Sequence, residues 1–180
     1  MKTIIITGTP GTGKTTLAKK IAKKLNFLYL DVNDFIFRNK LSEGYDNKRR
    51  TNIIDVKKLN NFLIKEIKTI KKNTLNQKSS KKIQLKNKIK KNEGIIIDSH
   101  LSHYLPKKYA DLCIVAKCDI KELNIRLKKK RFNQSKIKEN IQAEIFDICY
   151  NEAKKRKHKI LIVDTSKGFN INDLIRKIGD

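Results

Sequence analysis

Five short apolar runs are spaced along the chain at intervals too long for hairpins. Each run is apolar at consecutive positions, the pattern of strands that are buried on both faces, as parallel strands are when helices cover them. We therefore predict a sheet of five parallel strands. The runs are TIIIT (3–7), FLYL (27–30), GIIID (94–98), LCIVA (112–116) and KILIVD (159–164).

Between these runs, apolar residues recur at the three- and four-residue spacing of an amphipathic helix. Asp119 and Glu122 form the pattern of a capping box for a helix that runs to about Lys130. Strands that alternate with helices predict a doubly wound α/β fold, with helices on both faces of the sheet. The helical stripes are Leu17, Ile21 and Leu25; Val56, Leu59, Leu63, Ile67 and Ile70; Ile137, Ile141, Ile145 and Ile148; and Leu174, Ile175 and Ile178.

The length of 180 residues suits one α/β core, so we predict a single domain over 1–180. No apolar stretch approaches the roughly 20 residues that span a bilayer, and the N-terminus reaches glycine too early for a signal peptide. We expect a soluble intracellular protein without a membrane partner.

Cys113, Cys118 and Cys149 lack CxxC spacing, which favours reduced core thiols over a zinc site.

The net charge of +25 predicts attraction to phosphate polymers. Compositional drift is the alternative explanation, because lysine, asparagine and isoleucine recur everywhere and the basic residues are spread along the chain. The segment 71–92 stands out with nine lysines and no acid. It is either a basic loop or a helix extension inserted before the third strand, and either a solvated insertion without a role or an RNA-facing arm.

A phosphate-binding motif follows the first strand directly. Gly8, Gly13, Lys14 and Thr15 satisfy G-x-x-x-x-G-K-[ST] between a strand and an amphipathic helix, which is the context that the motif requires. The glycines let the backbone amides approach phosphate oxygens, and the helix begins with its positive dipole end toward them. We predict that Lys14 contacts the β and γ phosphates of a nucleoside triphosphate, that Thr15 binds Mg²⁺, and that Thr16 donates to the α phosphate.

A second acidic element is expected at the end of a neighbouring strand. Asp98 ends the third apolar run, and His100 would point the same way if the extended conformation continued. We predict Asp98 as a magnesium ligand and His100 as a group near the transferring phosphoryl. Arg126 and Lys130 are four residues apart, so both can face the phosphates from one helix.

Guanine specificity is not indicated by the chain. A GTPase normally carries an N/TKxD element after a later strand, whereas the fourth strand here ends in AKCD. The remaining classes are a kinase for a nucleotide, a kinase for another small acceptor and an ATP-driven switch.

The chain resembles the adenylate kinase isoenzyme 6 family, the atypical nucleoside monophosphate kinases that also assist assembly of the small ribosomal subunit. The resemblance covers nearly all of the chain outside 71–92. It is carried by TGTPGTGKTTLAKKIA at the start, EGYD (43–46) with IID (53–55), DSHLSHYLP (98–106) and ENIQAEIFDICYNEA (139–153). It implies a P-loop kinase fold with a short lid, phosphoryl transfer from ATP to AMP, slow ATP hydrolysis, and contact with the ribosomal protein uS11 and pre-ribosomal RNA as a monomer or transient complex.

The resemblance also implies functional segments and residues. The AMP-binding segment would run over 33–54, and the lid over 130–140. Asp98 and His100 take the catalytic roles of the family's D-x-H motif. The implied ATP site comprises Gly11, Gly13, Lys14, Thr15, Thr16 and Lys130; the implied AMP site comprises Asn33, Asp34, Phe35 and Arg38; and the catalytic set comprises Lys14, Asp98, His100, Arg126, Lys130 and Arg131.

Two departures from the family pattern affect the expected activity. The family's lid reads R-G-Y, whereas this chain has Lys130-Arg131-Phe132, so the lid arginine is either replaced by Lys130 or shifted to Arg131. Lysine lacks the planar fork of a guanidinium. Phe37 also stands where the family has a basic residue, with Arg38 after it. These departures leave open an ATP-gated assembly factor with vestigial kinase activity. The implied location is the cytoplasm for an archaeal protein, and nucleus and cytoplasm for a eukaryotic one.

Overall fold

The structure is a computed structural model that describes residues 1–47, 49, 51–79 and 93–179. Two 3₁₀ turns, Ser102–Tyr104 and Lys107–Tyr109, follow the third strand of the main sheet. The strands are β1 (Lys2–Thr7), β2 (Leu28–Asp31), β3 (Ser42–Asp46), β4 (Thr51–Ile54), β5 (Gly94–Asp98), β6 (Leu112–Lys117) and β7 (Ile160–Asp164). The helices are α1 (Lys14–Leu25), α2 (Val32–Arg38), α3 (Val56–Ser79), α4 (Ile120–Lys129), α5 (Gln134–Ile145), α6 (Ile148–Lys155) and α7 (Ile171–Gly179).

The main sheet has five parallel strands in the order β2-β5-β1-β6-β7. All five correspond to the predicted apolar runs, so the predicted doubly wound fold is confirmed. The chain order reverses at β1, which has β5 on one side and β6 on the other. In such sheets, ligands bind beyond the carboxyl ends of the strands at the reversal point, and here the predicted phosphate loop follows β1.

Alternate residues of the strands face two separate apolar layers. Ile4, Ile6 and Ile96 pack with Leu17 of α1 and Leu174 of α7 on one face. The opposite face buries Ile5, Ile95 and Ile97 against the stripe of α3 formed by Leu59, Leu63 and Ile67. Because both faces are covered, the strands are apolar at consecutive positions, as the sequence pattern indicated.

The predicted helix stripe over 137–148 is wrong in one respect. The chain breaks between α5 and α6, and Asp147 at the break has a left-handed backbone with φ 53°. Its carboxylate pairs with Lys117 at the end of β6. Ile137 is buried, whereas Ile145 and Ile148 are 57% and 46% exposed. The break separates Ile148 from the stripe, whereas Ile145, the last residue of α5, is already on the exposed side of that helix.

The predicted capping box at Asp119 is half correct. The Asp119 carboxylate caps α4 by accepting from the backbone N–H groups of Lys121 and Glu122 at 2.9 and 3.2 Å. The reciprocal bond is replaced, because the Asp119 N–H donates to Ser166 Oγ and the Glu122 carboxylate binds Arg126.

The antiparallel hairpin β3–β4 was not predicted. It lies within the 33–54 segment, whose strands are short and largely exposed, so no long apolar run marked them. Residues 71–79 of the basic segment extend α3, which agrees with the helix-extension alternative. The rest of that segment, 80–92, lies outside the described residues.

The described residues include no helix that is both long enough and apolar enough to cross a bilayer. The three thiols are free, with Cys113 and Cys118 buried and Cys149 half-buried. No group of three or more His, Cys, Asp or Glu side chains that could hold a metal ion gathers in the described part of the chain.

Candidate active site

The phosphate loop lies between β1 and α1 in the predicted context. Gly8 and Gly13 have φ values of 144° and 84°, which side chains rarely adopt. A Cβ on Gly8 would stand 2.4 Å from the carbonyl oxygen of Ala116, so the loop can pass β6 only as bare backbone. Gly13 is the N-cap of α1 and offers no side chain to cap it. The first amides of α1 therefore point into the loop, where an anion can accept from them.

Several side chains hold the loop in this shape. The carbonyl oxygen of Thr9 accepts from the Thr12 N–H and hydroxyl at 3.2 and 2.9 Å. The Thr9 hydroxyl donates to the buried carboxylate of Glu144 at 2.5 Å. The Thr165 hydroxyl, from the turn after β7, donates to the carbonyl oxygen of Thr12. The loop is thus fixed from β7 and from α5 as well as by its own bonds.

A cavity of about 510 Å³ opens in front of the loop. Its volume lies within the range of small-molecule sites. All five loop residues predicted to bind ATP line this cavity, and so do Arg126 and Lys130. Its lining residues are Gly11, Gly13, Lys14, Thr15, Thr16, Lys20, Arg126, Lys129, Lys130, Thr165, Gly168 and Phe169.

Lys14 is one of the residues that line this cavity. Burial lowers the pKa of its ammonium, Asp98 raises it, and Lys130 lowers it again. Asp31 acts in the same direction as Asp98. Lys14 is therefore within electrostatic reach of two carboxylates at the strand ends and of a cation from the lid segment. This surrounding is suited to a negatively charged ligand, which would offset the repulsion between the two lysines.

Asp98 ends β5 beside Asp31, its register partner on β2. The Tyr29 hydroxyl is 3.0 Å from Oδ2 of Asp98 and 3.3 Å from Oδ2 of Asp31. Burial and then Asp98 raise the pKa of Tyr29, so this phenol remains a proton donor. Oδ1 of Asp98 is buried without a hydrogen-bond partner. A buried unpaired acceptor is unfavourable, so this oxygen is a candidate for contact with a cation or a water molecule.

A hard divalent cation fits these groups. Mg²⁺ prefers oxygen ligands and binds through one or two protein oxygens together with phosphate oxygens. Oδ1 of Asp98 and the exposed hydroxyl of Thr15 are oxygens of this kind. Both were predicted as magnesium ligands.

His100 does not continue the strand as the sequence interpretation supposed. β5 ends at Asp98, the Ser99 N–H donates to the carbonyl oxygen of Ile6, and His100 lies in the following turn. His100 is exposed by its accessible surface, and the protein around it, followed by Lys14 and Lys136, lowers the pKa of its imidazole to about 4. His100 is therefore neutral at pH 7 and lies within electrostatic reach of the phosphate-loop lysine.

The lid segment, 130–140, is a tight turn followed by the first half of α5. Lys130 caps the end of α4 and lines the cavity, whereas Arg131 has a left-handed backbone and an exposed side chain outside the cavity lining. Of the two alternatives for the family's lid arginine, this placement favours Lys130. The phosphate contact of Arg131 stays a prediction.

Arg126 has protein partners on all three guanidinium nitrogens. Nε binds Glu122 at 2.7 Å, and Nη2 donates to the carbonyl oxygens of Thr165 and Ser166 at 2.8 and 3.0 Å. Nη1 donates to the Thr165 hydroxyl at 3.3 Å. Arg126 thus joins α4 to the turn after β7 while lining the cavity. Its predicted catalytic contact would come in addition to this bracing.

The residues predicted to bind AMP lie on α2. Asn33, Asp34 and Arg38 are exposed, and Arg38 donates to the carbonyl oxygen of Asp34 at 3.4 Å. Phe35 is 4% exposed and packs in the core layer beside α3, so the structure gives its ring a packing role. Phe37 is 85% exposed. The AMP contacts of all four residues stay predictions.

The 33–54 segment touches the lid segment. Nε of Arg49, in the turn between β3 and β4, is 3.6 Å from the Glu139 carboxylate. Lys136 Nζ donates to the carbonyl oxygen of Arg49 at 3.1 Å. The hairpin tip therefore meets α5, and the two segments that sequence reasoning assigned to AMP and to the lid are in contact.

Sequence reasoning missed several residues of this region. Asp31 and Tyr29 come beside Asp98 through the pairing register of β2 with β5. A single sequence does not give that register. Thr165 and Phe169 line the cavity from the turn after β7, where no motif marks them. Glu144 lies inside the quoted stretch ENIQAEIFDICYNEA, but its contact with Thr9 depends on how α5 packs.

The chain matches known proteins over most of its length. A family model described as an AAA domain matches residues 4–147. The adenylate kinase isoenzyme 6 homolog of Schizosaccharomyces pombe is 32% identical over 161 residues, 89% of this chain and 79% of that relative. The homolog of the same name from Dictyostelium discoideum is 30% identical over 161 residues, 89% of this chain and 79% of the relative.

Solved kinases share the fold. The deoxyadenosine kinase of M. mycoides with bound dATP aligns over 100% of both chains with a TM-score of 0.53 and 17% identity. At this identity the likeness is one of fold alone, and it agrees with the five-stranded parallel sheet and the phosphate loop after β1.

Proposed function

Because the chain belongs to the adenylate kinase isoenzyme 6 family, a group of adenylate-kinase-like nucleotide kinases, we propose that it transfers the γ-phosphoryl group of ATP to AMP. One observation carries the proposal. The phosphate loop with Lys14 and Lys130 of the lid segment line one cavity, Asp98 acts electrostatically on Lys14, and the 33–54 segment reaches the lid through Arg49. An acceptor held by that segment would therefore lie beside the triphosphate.

Phosphoryl transfer asks for positioning and charge neutralisation more than for covalent chemistry. An AMP phosphate oxygen attacks the γ-phosphorus while the bond to the β–γ bridging oxygen breaks, and both products are ADP. Lys14, Lys130 and Arg126 supply positive charge around the phosphates. The neutral imidazole of His100 can orient the acceptor through hydrogen bonds. Contact between the 33–54 segment and the lid excludes water from the γ-phosphate.

Asp98 and Thr15 would hold Mg²⁺ through their oxygens. The bound cation would neutralise part of the phosphate charge. Tyr29 orients Asp98 for this task, because its hydroxyl occupies one carboxylate oxygen and leaves the other available.

A panel of nucleoside monophosphates tests the acceptor. The protein is incubated with Mg-ATP and AMP, CMP, GMP or UMP, and the products are separated by chromatography. We expect ADP to form fastest with AMP, and we expect Lys14→Ala to abolish the reaction. Equal transfer to every monophosphate, or transfer to none of them, would contradict the proposal.

We propose a second function, because the resemblance implies an assembly role and α3 offers a surface that suits RNA. Its solvent face carries a row of exposed residues, Lys58, Asn61, Lys65, Lys68 and Lys72, at spacings of three and four. Among the described side chains of α3, Glu66 is the one acid, and it is half-buried. Such a row favours a phosphate backbone. The role would join slow ATP hydrolysis to contact with pre-ribosomal RNA and the ribosomal protein uS11.

Charge reversal on this row tests the second function. We compare Lys65→Glu/Lys68→Glu/Lys72→Glu with a control of equal net charge, Lys154→Glu/Lys155→Glu/Lys159→Glu, whose residues are exposed elsewhere. Fluorescence anisotropy with a single-stranded RNA gives the affinity at several salt concentrations. The α3 variant should lose more affinity and reduce the salt slope by about 2. Equal losses in both variants would show that net charge alone attracts RNA.

A further inference from the structure

Glu144 is a buried carboxylate that no catalytic step above uses. It lies on α5 and is 5% exposed. Oε2 accepts from the Thr9 hydroxyl at 2.5 Å, and Oε1 accepts from the Cys118 N–H at 2.9 Å. One side chain thus joins α5 to the phosphate loop and to the chain just beyond β6.

Thr9 is one of the residues that hold the loop in its shape. Its carbonyl oxygen accepts two bonds from Thr12, so its backbone is tied across the loop. Its side chain is held by Glu144. Thr9 is thus fixed at its backbone and at its side chain, which sets the direction of the amides that follow it. Those amides form the surface that meets the phosphates.

The choice of a carboxylate is informative. A buried carboxylate is unfavourable unless hydrogen bonds satisfy it. The ion pairs of the described residues do not include Glu144. The Thr9 hydroxyl and the Cys118 N–H therefore satisfy its carboxylate. A bond from a hydroxyl to a carboxylate is shorter and stronger than a neutral one, and the 2.5 Å distance agrees with this.

The position of α5 gives this contact a further consequence. The same helix carries Lys136 and Glu139, which meet Arg49 of the 33–54 segment. Glu144 lies about two turns beyond Lys136 on this helix, at the phosphate loop. The helix therefore connects the hairpin tip with the loop through side chains at its two ends.

We propose that Glu144 is a positioning residue, which orients the phosphate loop through Thr9 and anchors the lid helix to that loop. The proposal rests on the proposed function, in that the loop binds Mg-ATP. Glutamine at position 144 can accept from the Cys118 N–H with its oxygen and donate to the Thr9 hydroxyl with its amide. Alanine can do neither. Valine at position 9 removes the same bond from the other side and leaves the Cys118 contact in place.

The test measures the affinity for a fluorescent Mg-ATP analogue and the unfolding temperature without nucleotide. The proteins are the wild type, Glu144→Ala, Glu144→Gln, Thr9→Val and Thr9→Val/Glu144→Ala, with Glu66→Ala on α3 as a control. We expect Glu144→Ala and Thr9→Val each to weaken binding roughly tenfold, Glu144→Gln to stay within about threefold of the wild type, and the double variant to bind no worse than Glu144→Ala.

The outcomes separate this inference from the proposed function. A wild type that fails to bind the Mg-ATP analogue overturns the proposed function and the inference with it. A wild type that binds while Thr9→Val binds equally well overturns the inference alone, even where Glu144→Ala does not fold. A lower unfolding temperature with unchanged affinity for Glu144→Ala would show that the residue serves only the packing of α5.

Discussion

The hydroxyl of Tyr29 lies 3.0 Å from Oδ2 of Asp98, across the two neighbouring strands β2 and β5. The second oxygen of Asp98 is buried without a partner. One half of the carboxylate is therefore satisfied by the protein and the other half is available for a ligand. This arrangement makes the end of β5 a candidate catalytic position.

Tyr29→Phe should slow phosphoryl transfer without abolishing it. Loss of the hydroxyl leaves Asp98 free to rotate, and one hydrogen bond to a charged group is worth about 2 kcal/mol. We expect kcat to fall roughly tenfold with little change in the affinity for ATP. Steady-state kinetics measures both, and Tyr109→Phe, remote from the cavity, is the matched control. An unchanged kcat would assign Tyr29 to packing only.

Lys14→Ala should abolish ATP turnover while leaving the fold intact. Burial already lowers the pKa of this ammonium, so its removal relieves a desolvated charge. We expect loss of at least about 99% of activity and an unfolding temperature equal to or above that of the wild type. A product assay measures the activity, and differential scanning fluorimetry with and without Mg-ATP measures the unfolding temperature. A variant that unfolds earlier than the wild type would contradict the reasoning.

Arg126→Lys should lower both the affinity for ATP and the stability of the protein. The guanidinium holds Glu122 and the carbonyl oxygens of Thr165 and Ser166, and lysine cannot reproduce that fork. We expect KM for ATP to rise roughly tenfold and the free energy of unfolding to fall by about 1–2 kcal/mol. Lys128→Ala, exposed on the same helix, serves as control. A change in KM with no loss of stability would mean that the bracing role is wrong.

Stability should fall when the pH drops from about 6.5 towards 4. His103 and His158 are 3% and 8% exposed, and burial lowers the pKa of each, to about 4 for His103. Between these pKa values the unfolded chain binds more protons than the folded one, so stability increases with pH in this window and is complete above it.

Chemical denaturation at pH 5 and pH 7 measures this effect. His103 alone should contribute a loss of about 2 kcal/mol at pH 5. His103→Gln, which can still bond the Thr7 hydroxyl, should flatten the dependence. A wild type equally stable at both values would show that the two imidazoles are not held neutral.

The fold could be predicted from the chain because its strongest signals are local. Consecutive isoleucines such as Ile4, Ile5 and Ile6 mark a strand covered on both faces, and Gly8 to Thr15 mark the loop after it. The relatives confirm the resemblance that these motifs carried. The hairpin β3–β4 escaped prediction because its strands are exposed, and the break at Asp147 escaped because an ion pair with Lys117 interrupts an otherwise regular stripe.

Only part of the candidate site could be predicted from the sequence. Lys14 and Thr15 belong to a motif whose spacing is set by the loop itself. Tyr29, Asp31 and Glu144 reach the site through strand register and helix packing, which join residues far apart in the chain. His100 was expected on an extended strand, but β5 ends at Asp98, and the Ser102 N–H closes a turn on the Ser99 carbonyl oxygen.

The most direct test of the proposed transfer is the product balance of the wild type with Mg-ATP, measured by chromatography with and without AMP. Transfer to AMP predicts that AMP is consumed in step with ATP and that two ADP molecules appear for each ATP used, with little phosphate released. Phosphate release at the same rate whether or not AMP is present, with one ADP for each ATP, would contradict it and leave an ATPase in its place.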